Sequence, residues 1–173
     1  MSGRVLVTYA TRYGSTREVA QSVADTLRGR GYDVDVKPCS DVKDVGEYQA
    51  VVVGAPFYIG KMLKRATEFL ECHKAALQSV PVAIFSLGPL RASDDMAEAR
   101  EQLDGLLRKT DWLEPVAAEM FVGAYDPSKL RWLDKLAALP PASPLHGLGA
   151  HDDRDWDAIH SWAVQLPSAF ALS

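Results

Sequence analysis

Six residues of useful chemistry stand together near the N-terminus: Thr11, Arg12, Tyr13, Gly14, Ser15 and Thr16. An apolar run, Val5 to Ala10, leads into them, and residues at helical spacing follow. A strand that enters a hydroxyl- and glycine-rich loop at a helix N-terminus forms a phosphate seat. Backbone N–H groups point at the anion and the helix dipole favours its charge. Thr11, Ser15 and Thr16 add hydroxyl donors, and Gly14 permits close backbone approach. The same residues also read as an ordinary N-capped turn, because Ser and Thr cap helices routinely.

A second group is Gly54-Ala-Pro56-Phe57-Tyr58-Ile59-Gly60-Lys61. It fails the nucleotide P-loop pattern twice, since five residues separate the glycines and Met62 follows the lysine. No Gly-x-Gly-x-x-Gly follows a strand, so no dinucleotide fingerprint is present. The group does offer two adjacent aromatics, Phe57 and Tyr58, beside a proline. Planar aromatics near a phosphate seat suit a flat mononucleotide ring. The alternative is that both cover the sheet edge.

These groups need elements to position them. Residues 4–10 and 50–54 are Val-rich with little alternation, which predicts strands buried on both faces. A helix is expected from about Ser15 to Arg30, with Gly31 as C-cap. Tyr32–Lys37 reads as a short polar edge strand, and 41–48 as a connection. A helix over about 62–76, a strand over 81–86, a helix over 94–109 and a strand over 116–122 follow. An irregular stretch carrying Pro127, Pro140, Pro141 and Pro144 precedes a last helix from Asp153 to about Leu166. Strand and helix alternate five times, which predicts an α/β doubly wound parallel sheet. Ligands of such sheets sit at the carboxyl ends of the strands. That rule gathers the loops 11–16, 55–61 and 87–93.

The 173 residues are expected to form one domain with a sizeable core. A net charge of −4 gives no reason to expect nucleic acid. Cys39 and Cys72 lack metal spacing and read as free thiols of a reducing compartment. No signal peptide and no membrane span is evident, so a cytoplasmic location is expected.

Thr-x-x-Gly-x-Thr after the first strand, with Gly-x-Pro-x-Tyr after the third, resembles the flavodoxin family over about residues 4–122 and again in the last helix. The resemblance implies a five-stranded sheet in the order 2-1-3-4-5 and a flavin mononucleotide (FMN) cofactor. It implies that Thr11, Arg12, Tyr13, Gly14, Ser15 and Thr16 cradle the phosphate, and that Tyr58 stacks on the ring. Pro56, Phe57, Ile59 and Gly60 would border the ring, and Ser86, Leu87 and Gly88 would supply a third wall. Tyr13 departs from the carrier flavodoxins, which usually have a hydroxyl residue there. Thr-Arg-x-Gly-x-Thr, and Phe121-Val-Gly-Ala-Tyr125 followed by Leu130-Arg-Trp-Leu-Asp134, are similar instead to the menaquinone-dependent protoporphyrinogen IX dehydrogenase branch, with its extra loop in the last βα connection. That likeness implies a heme-biosynthesis enzyme passing electrons to a quinone, with the 124–152 stretch as an insertion. A flavodoxin-type carrier between protein partners is the alternative.

Lys61, Lys64 and Arg65 follow the aromatic loop, where the helix dipole disfavours cations. They read either as a solvated helix face or as an attractor of an anionic substrate. His73, His146, His151 and His160 are scattered and expected to be structural. The run His151, Asp152, Asp153, Asp155 is expected to cap a helix rather than bind metal. Within 124–152, Leu130, Leu133 and Ala137 share a helical face ringed by Lys129, Arg131 and Lys135. This weak amphipathic pattern is expected at a membrane surface, over the flavin, or against the sheet edge.

Overall fold

The computed structural model describes residues 3–89, 95–143 and 146–172. Positions 90–93 of the expected third loop, Asp94 and Pro144 lie outside the described residues. Five parallel strands form the sheet: β1 (Arg4–Tyr9), β2 (Asp33–Pro38), β3 (Ala50–Tyr58), β5 (Val82–Leu87) and β6 (Ala117–Phe121). Their spatial order is β2-β1-β3-β5-β6, with β2 at one edge, as the doubly wound reading requires. A two-residue strand, β4 (Lys61–Met62), turns back antiparallel on the end of β3.

Alternation along the strands divides the core between the two faces. Val5, Val7, Val52 and Phe85 face α1 (Ser15–Gly29) and α6 (Trp156–Ala169). Leu6, Val51, Val53 and Ile84 face the other way, toward α2 (Lys64–Cys72), α3 (Lys74–Leu77) and α4 (Met96–Lys109). The central strands are therefore apolar on both faces, which is why they read as continuous runs.

Most element ends fall within a few residues of expectation, with two informative differences. The helix expected over 62–76 is two helices broken at His73, whose φ of −107° leaves the helical range and whose ring packs on Phe69 at 4.8 Å. The segment expected as a loop from 55 continues β3 as far as Tyr58. Pro56 is tolerated because pairing with β1 stops at Gly54; beyond it the strand pairs with β5 as far as Pro56 and with the antiparallel β4 at Phe57 and Tyr58.

The stretch between β6 and α6 has structure of its own. Strand β7 (Ala124–Tyr125) pairs antiparallel with β8 (His151–Asp152), and α5 (Trp132–Ala138) lies between them in sequence. Asp155 caps α6 by accepting from the Ala158 N–H at 2.9 Å, the role expected for that acidic run. Among the described residues no cluster of His, Cys, Asp or Glu could hold a metal ion. No helix among them is long and apolar enough to cross a membrane.

Candidate functional site

The carboxyl ends of β1, β3 and β5 converge on one edge of the sheet. After β1, Gly14 adopts φ 98°, a conformation that L side chains rarely take, and becomes the N-cap of α1. Its N–H is bonded to Thr11 Oγ1 at 2.8 Å, which fixes the turn. Thr16, in the first turn of α1, is fully buried, and its Oγ1 has no hydrogen-bond partner among the described residues. A buried hydroxyl left unpaired costs about 1–3 kcal/mol. An anion at this helix end would recover that cost, so the donors present fit a phosphate.

After β3, the chain reverses through a two-residue loop, Ile59-Gly60, with φ of 48° and 71°. Two positive φ values in a two-residue hairpin give the twist that matches its strands. Gly60 accepts this at no steric cost; Ile59, β-branched and 99% exposed, does not. After β5, Gly88 and Pro89 form the opposite lip, while Ser86 and Leu87 lie inside the strand, fully or almost fully buried.

Between these loops lies a cleft of 630 Å³. Arg12 and Tyr13 line it from the first loop, Phe57, Tyr58 and Ile59 from the second, and Gly88 from the third. Ala99 and Gln102 of α4 add a floor, and Leu130, Asp134 and Ala137 close the side formed by the 124–152 stretch. The lining is largely apolar with carboxylates at its margin, Asp95, Glu98, Asp126 and Asp134. Such a cleft fits a flat ring held by few polar groups. Pro56 and Gly60 sit in the hairpin beside it rather than in its lining. Lys61 is exposed opposite Tyr58 across the hairpin, Lys64 pairs with Glu68 at 3.2 Å, and neither they nor Arg65 contribute to the cleft wall.

Two residues join this site from far along the chain. Asp134 accepts from Arg12 Nη2 at 2.8 Å and from the Tyr13 hydroxyl. Burial and that carboxylate hold the Tyr13 phenol in its neutral form, pushed up to about 12. Arg154 donates to the Ser15 carbonyl at 3.1 Å and pairs with Glu18 at 2.6 Å, both in the first turn of α1. Neither partnership is visible in the sequence, because the separations are 121 to 139 residues and no local motif marks them. The histidines take structural places: His160 meets Thr26 at 3.1 Å, and His151 packs on Tyr125 at 5.9 Å.

The flavodoxin domain profile matches residues 6–138, most of the chain and all three loops. The chain belongs to the flavodoxin family. Solved structures agree on the fold. A flavodoxin of Streptococcus pneumoniae TIGR4 superposes with a TM-score of 0.59 at 21% identity, over 95% of this chain and 98% of that one. A flavodoxin from the domain Archaea gives 0.58 at 16% identity, over 97% and 99%. Among curated proteins, protoporphyrinogen IX dehydrogenase [quinone] of Escherichia coli K12 is 26% identical over 94% of both chains. NAD(P)H dehydrogenase (quinone) of Caulobacter vibrioides is 28% identical over 90 residues, 39% of this chain and 45% of that protein. The cofactor of this flavodoxin is FMN. Bound FMN supplies redox chemistry, and the protein supplies position and electrostatics. The related curated proteins are oxidoreductases, and this chain is one in that general sense.

Proposed function

We propose that this flavodoxin is a quinone-linked dehydrogenase that oxidises protoporphyrinogen IX or a similar flat, anionic tetrapyrrole. The observation that carries the reading is the wall that the 124–152 stretch adds to the cleft through Leu130, Asp134 and Ala137. A carrier must present its flavin edge to protein partners. A side wall makes a chamber for an organic ring instead. The E. coli relative, matched over 94% of both lengths, supports the same choice. In this reading residues 1–173 are one flavodoxin-like unit carrying an insertion. The first loop holds the phosphate through residues 11–16, Tyr58 stacks on the ring, and residues 56–60 and 86–88 border it. Lys61 and Arg65, outside the chamber, meet carboxylates that project from it.

Trp132, Leu133, Leu136 and Leu139 are all more than half exposed, and Ile59 stands free at the same cleft's mouth. With Lys129, Arg131 and Lys135 around them, they suit an anionic membrane surface that delivers an apolar quinone. The deciding assay is porphyrin fluorescence arising anaerobically from porphyrinogen with a menaquinone analogue. A quinone-dependent rate is expected, and its absence removes this substrate.

The carrier reading keeps one observation of its own: Asp95, Glu98 and Asp126 make the cleft margin acidic, as carrier flavodoxins tend to be. A stable semiquinone on anaerobic reduction of the holoprotein would favour it.

A further inference from the structure

The helix that is to receive the phosphate carries a defect. Glu18 lies in the first turn of α1, and a carboxylate there competes with an anion for the positive end of the same dipole. Asp152 stands beside it, in the strand that leads to α6. Arg154 answers both. Its side chain is only 6% exposed, its guanidinium lies 2.6 Å from Glu18 and bonds Asp152 at 2.8 Å, and its face packs on Trp156 at 4.7 Å. A further N–H, on Nη1, donates to the Ser15 carbonyl at 3.1 Å. A planar guanidinium can serve carboxylates and a backbone oxygen in one fixed fork; an ammonium cannot. The aromatic beneath holds that fork in place.

We propose that Arg154 is a positioning residue for the flavin phosphate: it fixes the first turn of α1 through Ser15 and cancels Glu18 within that turn. It acts through the helix and touches no reacting atom. The proposal rests on the reading that the phosphate is seated at residues 11–16.

Calorimetric titration of the cofactor-free full-length chain with FMN, and separately with riboflavin, tests it. Riboflavin carries the same ring without the phosphate, so a general loosening of the fold moves both affinities together. Arg154→Met is expected to raise the FMN Kd about ten-fold and the riboflavin Kd less than about two-fold. Adding Glu18→Gln to that variant should recover part of the FMN loss, because the uncancelled charge within the first turn of α1 is gone and only that of Asp152, outside the helix, remains. Arg154→Lys, which keeps charge but not the fork, should fall between. Glu18→Gln alone alters a half-exposed residue and leaves Arg154 balanced by Asp152, so a cluster of net charge −1 becomes neutral. It should lower the FMN Kd about two-fold or more while sparing riboflavin, a result open even if Arg154→Met does not fold. Equal losses for FMN and riboflavin in Arg154→Met would overturn the proposal, as would an unmoved FMN Kd in Glu18→Gln. A parent protein that binds riboflavin as tightly as FMN defeats the phosphate reading itself, a failure distinct from that of Arg154.

Discussion

The hydroxyl of Tyr13 donates to the carboxylate of Asp134, tying the loop between β1 and α1 to a helix 121 residues further along the chain. Burial comes first and this bond second in holding the phenol at about 12. The folded value lies above the ordinary 10, so folding retains the phenolic proton. The resulting stability is complete below about pH 10 and is lost as pH rises toward 12. Thermal unfolding scans should show the parent losing its advantage over Tyr13→Phe across that window. A constant gap from pH 8 to 12 would contradict the bond.

Gly14→Val should abolish FMN binding. No neighbour crowds the added Cβ; the cost comes from the backbone, because φ of 98° is strained for any L residue and worst for a β-branched one. Retention of FMN by the folded variant would remove residues 11–16 from the phosphate site.

Ile59→Asn should stabilise the protein by roughly 1 kcal/mol, since asparagine tolerates the left-handed conformation that isoleucine does not. For a chain of this size that is about 2–4 °C in Tm. The same change removes an exposed apolar tip, so co-sedimentation with anionic vesicles should fall, and fall further with Trp132→Ser. A more stable variant with unchanged vesicle binding separates the strain from any membrane role.

Lys61→Ala with Arg65→Ala should raise the KM for porphyrinogen about ten-fold while leaving FMN affinity nearly unchanged. An unmoved KM with a normal rate would take both cations out of substrate binding. That outcome would agree with their position outside the cleft wall.

A thiol reagent should label Cys72 quickly and Cys39 slowly. Cys72 is exposed, whereas burial pushes the Cys39 thiol up to about 11 and the Thr8 hydroxyl lies 3.5 Å from its sulfur. Rapid labelling of both in the native state would show that the edge beside β2 opens.

The sheet was legible because strands buried on both faces have no polar face to hide their pattern: Ala50 to Val53 could be little else. The turn between β1 and α1 was legible because Gly14 and its hydroxyl neighbours are local chemistry. Pro56 hid the continuation of β3, since proline argues against a strand unless a neighbouring strand has already ended. Arg154 and Asp134 were beyond reach for a different reason. Each meets partners brought close by the whole fold, and a charged residue looks the same in sequence whether its side chain is buried or free. Arg154 stands beside an acidic run whose capping role, at Asp155, is local and therefore legible.

The two-residue ribbon of β7 and β8 brings Tyr125 and His151 side by side. Whatever lies between them leaves and rejoins the sheet through one narrow neck, so the entropy of closing that loop is met locally and rises only slowly with its length. Residues 126–150 are therefore exchangeable in principle. A short turn joining Tyr125 to His151 would leave the sheet, the Gly14 turn and Arg154 in place, yet strip Leu130, Asp134 and Ala137 from the cleft. Such a graft would turn a chamber into an open edge. A lineage could pass between metabolic enzyme and electron shuttle by lengthening or trimming one loop, with no strand of the sheet disturbed.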